Sequence, residues 1–426
     1  MDTIYALSSG KPPAGIGVIR VTGPQVQAVL EALAGRVPRA RLATRAVFRD
    51  ASRAMVDDGL VLFFPGPRSV TGEDLAEFHC HGGKAVVAAV ERAIGGVPGC
   101  RAAQAGEFTR RAFANGRIDL AEAEGLGDLL EAETELQRQS AVQLATGAFS
   151  RQIEDWRERL LRLSAQVEAV LDFDDEDDVG GLSDSFAEEV RRLAGELGTV
   201  LEAPRAEVLK EGYRVALAGP PNAGKSTLFN ALTESEAAIT ADIAGTTRDV
   251  LTQSVALAGI PFTFVDMAGL RDEAAASDTI EAIGIQRAGA EIARADRVLW
   301  LGAEGEGPHG AWEIAAQCDR DDNPPKRAPD FRVSAVTGEG LAELREALIA
   351  DARTAMPKPG QAALNARQRA LLANALAAIE GLGHQTDPLL VGEHLRLTRT
   401  AFDALTGRTS TEDVLDTLFG RFCIGK

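Results

Sequence analysis

The segment Gly219-Pro-Pro-Asn-Ala-Gly-Lys-Ser226 constrains this chain more than any other. It fits G-x-x-x-x-G-K-[ST], follows the apolar run Val215-Ala-Leu-Ala218 and opens a helical pattern at Thr227-Leu-Phe-Asn-Ala-Leu232. Strand, glycine-rich turn and helix in that order predict a phosphate cradle. The glycines let successive backbone N–H groups turn toward phosphate oxygens, and the helix start adds partial positive charge. Lys225 then reaches the β and γ phosphates and Ser226 ligates magnesium. From Tyr213 to about Asp351 strand, turn and helix repeat, the pattern of a doubly wound parallel sheet.

Two downstream elements narrow the class. Gly245-Thr-Thr-Arg-Asp249 offers Thr247 as a second magnesium ligand on a switch loop, and Asp266-Met-Ala-Gly269 ends the strand Phe262-Thr-Phe-Val265 with an acid and a γ-phosphate-facing glycine. Ser334-Ala-Val-Thr-Gly338 follows a strand and is placed to hold a purine base through its backbone. This order is that of the GTPases, not the ATPases. The expected guanine-reading Asn-Lys-x-Asp is reduced to Ala316-Gln-Cys-Asp319, leaving Asp319 to make the two hydrogen bonds that separate guanine from adenine. Only Gly302 to Gly310 separates one strand from the next. A parallel crossover normally needs a dozen or more residues, so a crossover helix is expected to be missing or reduced to a loop.

The rest of the chain frames this module. The 426 residues suggest about three domains. Gly17-Val-Ile-Arg-Val21 and Gly59-Leu-Val-Leu-Phe-Phe64 read as strands and Lys84 to Ile94 as a helix, giving a small α/β domain over residues 1–117. From Asp119 to Leu171 there is no proline, and Ile153, Trp156, Leu160, Leu163, Val167 and Val170 mark a long amphipathic helix. The acid run Asp172 to Asp178 reads as a solvated connection, without the Gly and distal Glu of a calcium loop. Helical patterns return after Ala362. Because the termini of an inserted domain lie close together, the expected architecture is α/β plus α: a small α/β N-terminal domain (1–117), and a helical domain (118–211 and 353–426) interrupted by an inserted Ras-like P-loop GTPase domain (212–352).

A net charge of −18 excludes a protein that coats nucleic acid through a general positive field, so any nucleic-acid contact must be local. No apolar run is long enough to span a membrane and the first residues lack a signal peptide's apolar core, which predicts a cytoplasmic protein. The four cysteines are too scattered for a disulfide framework or a paired-CxxC zinc pattern. In His79-Cys80-His81, successive side chains on a strand point to opposite faces, which argues against zinc. Cys423 reads either as a reactive thiol or as a buried packing residue. Leu270 stands where Ras-like proteins place a water-orienting Gln, so polar help must come from elsewhere. The carboxamide of Asn222, with switch-loop carbonyls near Ala241 and Ile243, suits a monovalent cation that neutralises charge as the bond breaks, although Asn is also a common turn former.

Four further blocks carry a resemblance. They are Gly15-Ile-Gly-Val-Ile-Arg20, Thr71-Gly-Glu-Asp-Leu-Ala-Glu-Phe-His-Cys-His-Gly-Gly83, Gly106-Glu-Phe-Thr-Arg-Arg-Ala-Phe-Ala-Asn-Gly-Arg-Ile-Asp119 and Phe422-Cys-Ile-Gly-Lys426. On them, the chain resembles the MnmE (TrmE) tRNA-modification GTPases over essentially its whole length. The resemblance implies a homodimer built by the N-terminal domain, which binds a folate donor (5-formyl- or 5,10-methylene-tetrahydrofolate) through Arg20, Glu77, Arg117 and Lys426. Arg117 stands where the family usually has Lys. It implies GTP, Mg²⁺ and K⁺, with nucleotide contacts at Asn222, Ala223, Gly224, Lys225, Ser226 and Thr227, at Ala241, Asp242, Ile243, Ala244, Gly245, Thr246 and Thr247, at Asp266, Met267, Ala268 and Gly269, and at Asp319, Ser334, Ala335 and Val336. Potassium falls on Asn222, Ala241, Ile243 and Thr246, and the catalytic acid on Glu281.

The implied activity is GTP hydrolysis that drives a heterotetramer with an MnmG-type flavin (FAD) enzyme. The complex would install an aminomethyl or carboxymethylaminomethyl group on carbon 5 of the wobble uridine of certain tRNAs. A regulatory GTPase of ribosome assembly and a scaffold with a decayed GTPase are the competing readings. The N-terminal blocks favour the first over the ribosomal reading, and Ala316 and Gln317 prompt the decayed one.

Overall fold

The computed structural model describes residues 2–172, 182–204, 206–234, 238–240, 251–267, 289–320, 326–358, 361–382, 385, 387–409, 412–422, 424 and 425. The chain divides into two compact units: Met1–Gly127 with Ser150–Glu154 and Phe402–Lys426, and Asp128–Phe149 with Asp155–Ala401.

The first unit holds β1 (Thr3–Leu7), β2 (Ile16–Thr22), α1 (Val26–Ala34), β3 (Thr44–Arg49), β4 (Met55–Phe64), β5 (Leu75–His81), α2 (Lys84–Gly95), β6 (Cys100–Ala102) and α3 (Glu107–Ala114). Its sheet runs β3-β4-β5-β2-β1-β6, antiparallel except for the β1–β6 pair. The strands and helix read from the sequence lie within β2, β4 and α2. Alternation along β5 sends Ala76, Phe78 and Cys80 inward, where they pack with Ile19, Val29 and Val90 beneath the two long helices. Glu77, His79 and His81 fall on the other face. Over β1 that face is closed by Phe108 of α3, packed on Ile4 and Ala6.

α4 (Leu120–Glu131) begins in this unit, and its Leu120 and Ala123 bury against Leu415 and Phe419 of a helix near the carboxyl end, Glu412–Phe419. The residues after that helix return to β1: the Ser8 hydroxyl donates to the Gly425 carbonyl at 2.9 Å, and Ile424 bridges Ala105.

The second unit contains α5 (Glu135–Ala145), most of α6 (Ala148–Asp172), α7 (Asp184–Glu202), α8 (Ala206–Glu211), β7 (Tyr213–Ala218), α9 (Lys225–Thr233), β8 (Ala238–Thr240), β9 (Leu251–Leu257), β10 (Ile260–Asp266), β11 (Arg297–Trp300), β12 (Trp312–Ala316), β13 (Phe331–Val333), α10 (Leu341–Ala355), α11 (Ala366–Gly381) and most of α12 (Pro388–Thr406). The Glu412–Phe419 helix of the first unit is α13. The proline-free stretch is thus three helices, not one. Thr134 and Gln137 form a capping box that starts α5 afresh, and Gly147, at φ +73°, turns the chain before α6. α6 does carry the expected apolar stripe, with Ile153, Trp156, Leu160, Leu163 and Val167 buried. Beside the stripe, buried Arg159 reaches Glu189 at 2.6 Å and Glu196 at 2.7 Å on α7.

The seven-stranded sheet runs β13-β12-β11-β7-β10-β9-β8, and β13 to β10 are mutually parallel. This is the inserted α/β module, read correctly as a P-loop fold between helical segments. The connection from β11 to β12 contains no helix. It folds back on Trp300, whose indole N–H donates to the Ala303 carbonyl at 2.8 Å, and Lys326 ties Glu313 to the Trp300 carbonyl.

Candidate functional site

β7 sits between β11 and β10, where the winding of the chain changes side, and such switch points are where open α/β sheets bind ligands. Its C-terminal end feeds the loop into α9. Asn222 and Gly224 have φ of +61° and +90°. Asn tolerates this left-handed conformation better than most residues, so the turn alone gives a reason for Asn222. At Gly224 a side chain would be strained, and a Cβ would come within 3.2 Å of the Gln317 amide nitrogen. Lys225 is buried, and its ammonium donates to the carbonyls of Gly219 (3.1 Å) and Pro220 (2.8 Å). Ser226 and Thr227 are exposed at the start of α9. Asp266 is fully buried at the end of β10, and Met267 follows it, donating its N–H to Leu217 of β7. An exposed hydroxyl in the first turn of α9 and a carboxylate at the end of β10 are hard oxygen donors, the kind that suits magnesium.

The base-reading segments lie on the ends of the next two strands. Ala316 and Val333 are register partners, so Gln317 to Asp319 and Ser334 to Val336 emerge side by side. Ser334 is buried, and its hydroxyl accepts from Thr337 N–H at 3.1 Å, closing the turn that carries Ala335 and the exposed Val336. Asp319 is exposed. Gln317 has φ +55°, and its amide donates to the Asn222 carbonyl at 3.4 Å. This bridge ties the base segment to the phosphate loop, a contact that no motif in the sequence announces. The one sequence signal for it is that Gln317, long and carrying an amide donor, stands where the expected pattern has Lys.

In the first unit, Arg20 and Glu77 face each other across β2 and β5. The guanidinium donates to one carboxylate oxygen from two nitrogens, at 2.8 and 3.1 Å, and His79 approaches the other at 3.3 Å. Arg117 makes no hydrogen bond or ion pair with either residue, and its stem lies beside Gly72. Cys80, on the opposite face, is buried, and its thiol is pushed up to about 11, chiefly by desolvation. His81 instead pairs with Asp57 at 2.8 Å.

Residues 3–117 match the family model of the GTP-binding protein TrmE N-terminus, and residues 120–423 match that of the MnmE helical domain. Chains described as tRNA modification GTPase MnmE from Novosphingobium aromaticivorans, Erythrobacter litoralis and Zymomonas mobilis subsp. mobilis are 60%, 59% and 46% identical. In each case the match covers 100% of both chains. The chain belongs to the MnmE family.

Of the residues that MnmE resemblance implies, the structure places Asn222 to Thr227, Asp266, Met267, Asp319 and Ser334 to Val336 at or just beyond the carboxyl ends of the parallel strands of one sheet, and pairs Arg20 with Glu77 on another. Ala241 to Thr247, Ala268, Gly269, Glu281, Cys423 and Lys426 lie outside the described residues. Lys426 follows Gly425, which is bonded to Ser8, a residue the sequence reading did not single out.

Proposed function

We propose that this chain hydrolyses GTP in its inserted domain and, with an MnmG-type flavin (FAD) partner, drives modification of carbon 5 of the wobble uridine in tRNA. The carrying observation is that phosphate loop, Asp266 and base-reading turns all lie at the carboxyl ends of the parallel strands of one sheet, in a chain whose N-terminal region matches the TrmE model. Lys225 holds the β and γ phosphates, and Ser226 with Thr247 holds magnesium. Asn222, Ala241, Ile243 and Thr246 take potassium, which supplies positive charge against the leaving phosphate, and Glu281 is the acid. Three domains, 1–117, 118–211 with 353–426, and 212–352, divide the work. The first forms the homodimer and holds the folate donor, which provides the one-carbon unit, through Arg20, Glu77, Arg117 and Lys426. Among the described residues no helix is long and apolar enough to cross a membrane, in keeping with a cytoplasmic site of action.

Asp319 alone reads guanine, so nucleotide affinity is weak but keeps GTP above ATP. Three measurements test the reading: wobble-uridine mass in cells lacking this chain, GTP turnover in potassium against sodium, and GTP against ATP titration. Unmodified uridine and potassium-stimulated turnover are expected. Intact modification, or no turnover in either salt, overturns the reading, and equal affinity for ATP overturns the specificity.

A further inference from the structure

On a chain of charge −18, residues 36–68 hold seven arginines (Arg36, Arg39, Arg41, Arg45, Arg49, Arg53, Arg68), no lysine or glutamate, and three aspartates, a local charge of +4. All seven arginines are exposed. They lie along β3, the open edge strand of the six-stranded sheet, and in the segments that lead into and out of the β3–β4 hairpin.

The three acids are already committed. Asp50 accepts from the N–H groups of Ser52 and Ala54 and closes the hairpin turn. Asp57 accepts from the backbone and ring of His81. Asp58 pairs with Arg45, at 2.5 Å. Among the described residues, no acid pairs with the other six arginines. Arg41 and Arg49 each give a donor to a backbone carbonyl, of Arg68 and Arg53, which fixes the guanidinium in place and leaves its charge uncompensated. The Arg41 guanidinium also lies 5.5 Å over the Phe64 ring.

Charged side chains on an edge strand deter strand-to-strand aggregation. That accounts for Arg45 and Arg49 on β3, but not for Arg36, Arg39 and Arg41 before it, nor for Arg53 and Arg68 in the flanking loops. Arg41 and Arg53 moreover occupy left-handed backbone, at φ +61° and +66°, where glycine would fit without strain. Six exposed guanidiniums without an acid partner, on β3 and in the segments around it, are the chemistry that grips a polyanionic backbone, since arginine binds phosphate by paired donors.

We propose that the arginine edge of residues 36–68 is the surface by which this chain holds the phosphate backbone of tRNA. This deepens the proposed function and rests on it, because tRNA is the polyanion that function supplies. Phosphate contact positions RNA without reading its sequence, so the edge orients the substrate and leaves base recognition elsewhere.

The test uses the full chain and total tRNA, with binding followed by fluorescence anisotropy between 50 and 200 mM salt. In Arg39→Gln/Arg49→Gln/Arg53→Gln, affinity at about 100 mM salt is expected to fall about tenfold or more, and the log–log salt slope by roughly 2 to 3, near 0.7–0.9 per lost phosphate contact. The same three positions as lysine should recover most of the affinity, and thermal unfolding and GTP turnover should stay at wild-type values. Wild type that binds tRNA with a triple-Gln variant of unchanged slope overturns the surface alone. Wild type that binds no tRNA overturns the functional reading as well. A triple variant that keeps its tRNA affinity but sediments at half the mass would make the edge a contact between copies, and overturn the proposal.

Discussion

The phosphate loop and the Arg20–Glu77 pair are built by opposite means. The loop is backbone: eight consecutive residues whose carbonyls, N–H groups and positive φ angles form the cradle, with Lys225 folded across it. The pair is side chain: two residues far apart in sequence that meet because β2 and β5 are neighbours in register. A cradle of the first kind depends on local conformation. One of the second kind depends on the whole sheet, and on the seam that ties Gly425 to Ser8. The contrast predicts that damage near the loop appears first in turnover, and damage in the first unit first in stability.

The largest effect should come from Lys225→Ala. Removing the Lys225 ammonium should cut GTP turnover about 100-fold or more, read by phosphate release, with little change in unfolding midpoint. Turnover within a few fold of wild type would show that backbone suffices. Next is Gly106→Val. Gly106 has φ +66°, and a Cβ there would lie 2.2 Å from the Phe419 carbonyl oxygen, so backbone must move. A loss of about 3 kcal/mol or more in urea unfolding of the first unit is expected, and a neutral result would break the claim that this unit is closed by α13.

A smaller effect should follow Arg20→Ala. The pair is partly exposed, at 23% and 17%, so its loss should cost about 1–2 kcal/mol, and a double-mutant cycle with Glu77→Gln should recover a coupling of similar size. Additive single effects would mean the pair is incidental.

The smallest effect concerns pH. Burial pushes the Glu107 carboxyl up, but hydrogen bonds from Arg101, the Gln104 N–H and Arg111 outweigh it and hold it low. Asp2 is held low as well, mainly by Arg101. A carboxyl depressed in the folded state contributes stability fully above its unfolded value, about 4.3 for Glu, and loses it as pH falls through the folded value. The first unit should therefore weaken below about pH 4, and Glu107→Gln should flatten that decline. An unchanged decline would assign it to other carboxylates.

The same contrast explains what the sequence made legible. The loop, its strand and its helix are contiguous, so a motif with its flanks identified them, and the short Gly302 to Gly310 link announced the absent helix by length alone. The breaks after α4 and α5 carry no proline to mark them, though Thr134 with Gln137 is a readable start signal. Arg20 with Glu77 came only through resemblance, since no local pattern says which strands will be neighbours. Gln317 was read as a loss, because its contact with Asn222 appears only when two loops 95 residues apart are brought side by side.

The join between Ser8 and Gly425 spans 417 positions, and it sets an order of events during synthesis. The first strand leaves the ribosome long before its latch exists, so the N-terminal sheet must wait, with one end unfastened, while the whole GTPase module is made and folded behind it. A message cut short, or a protease nick near Ile424, would yield a chain with an intact phosphate loop and an open first unit.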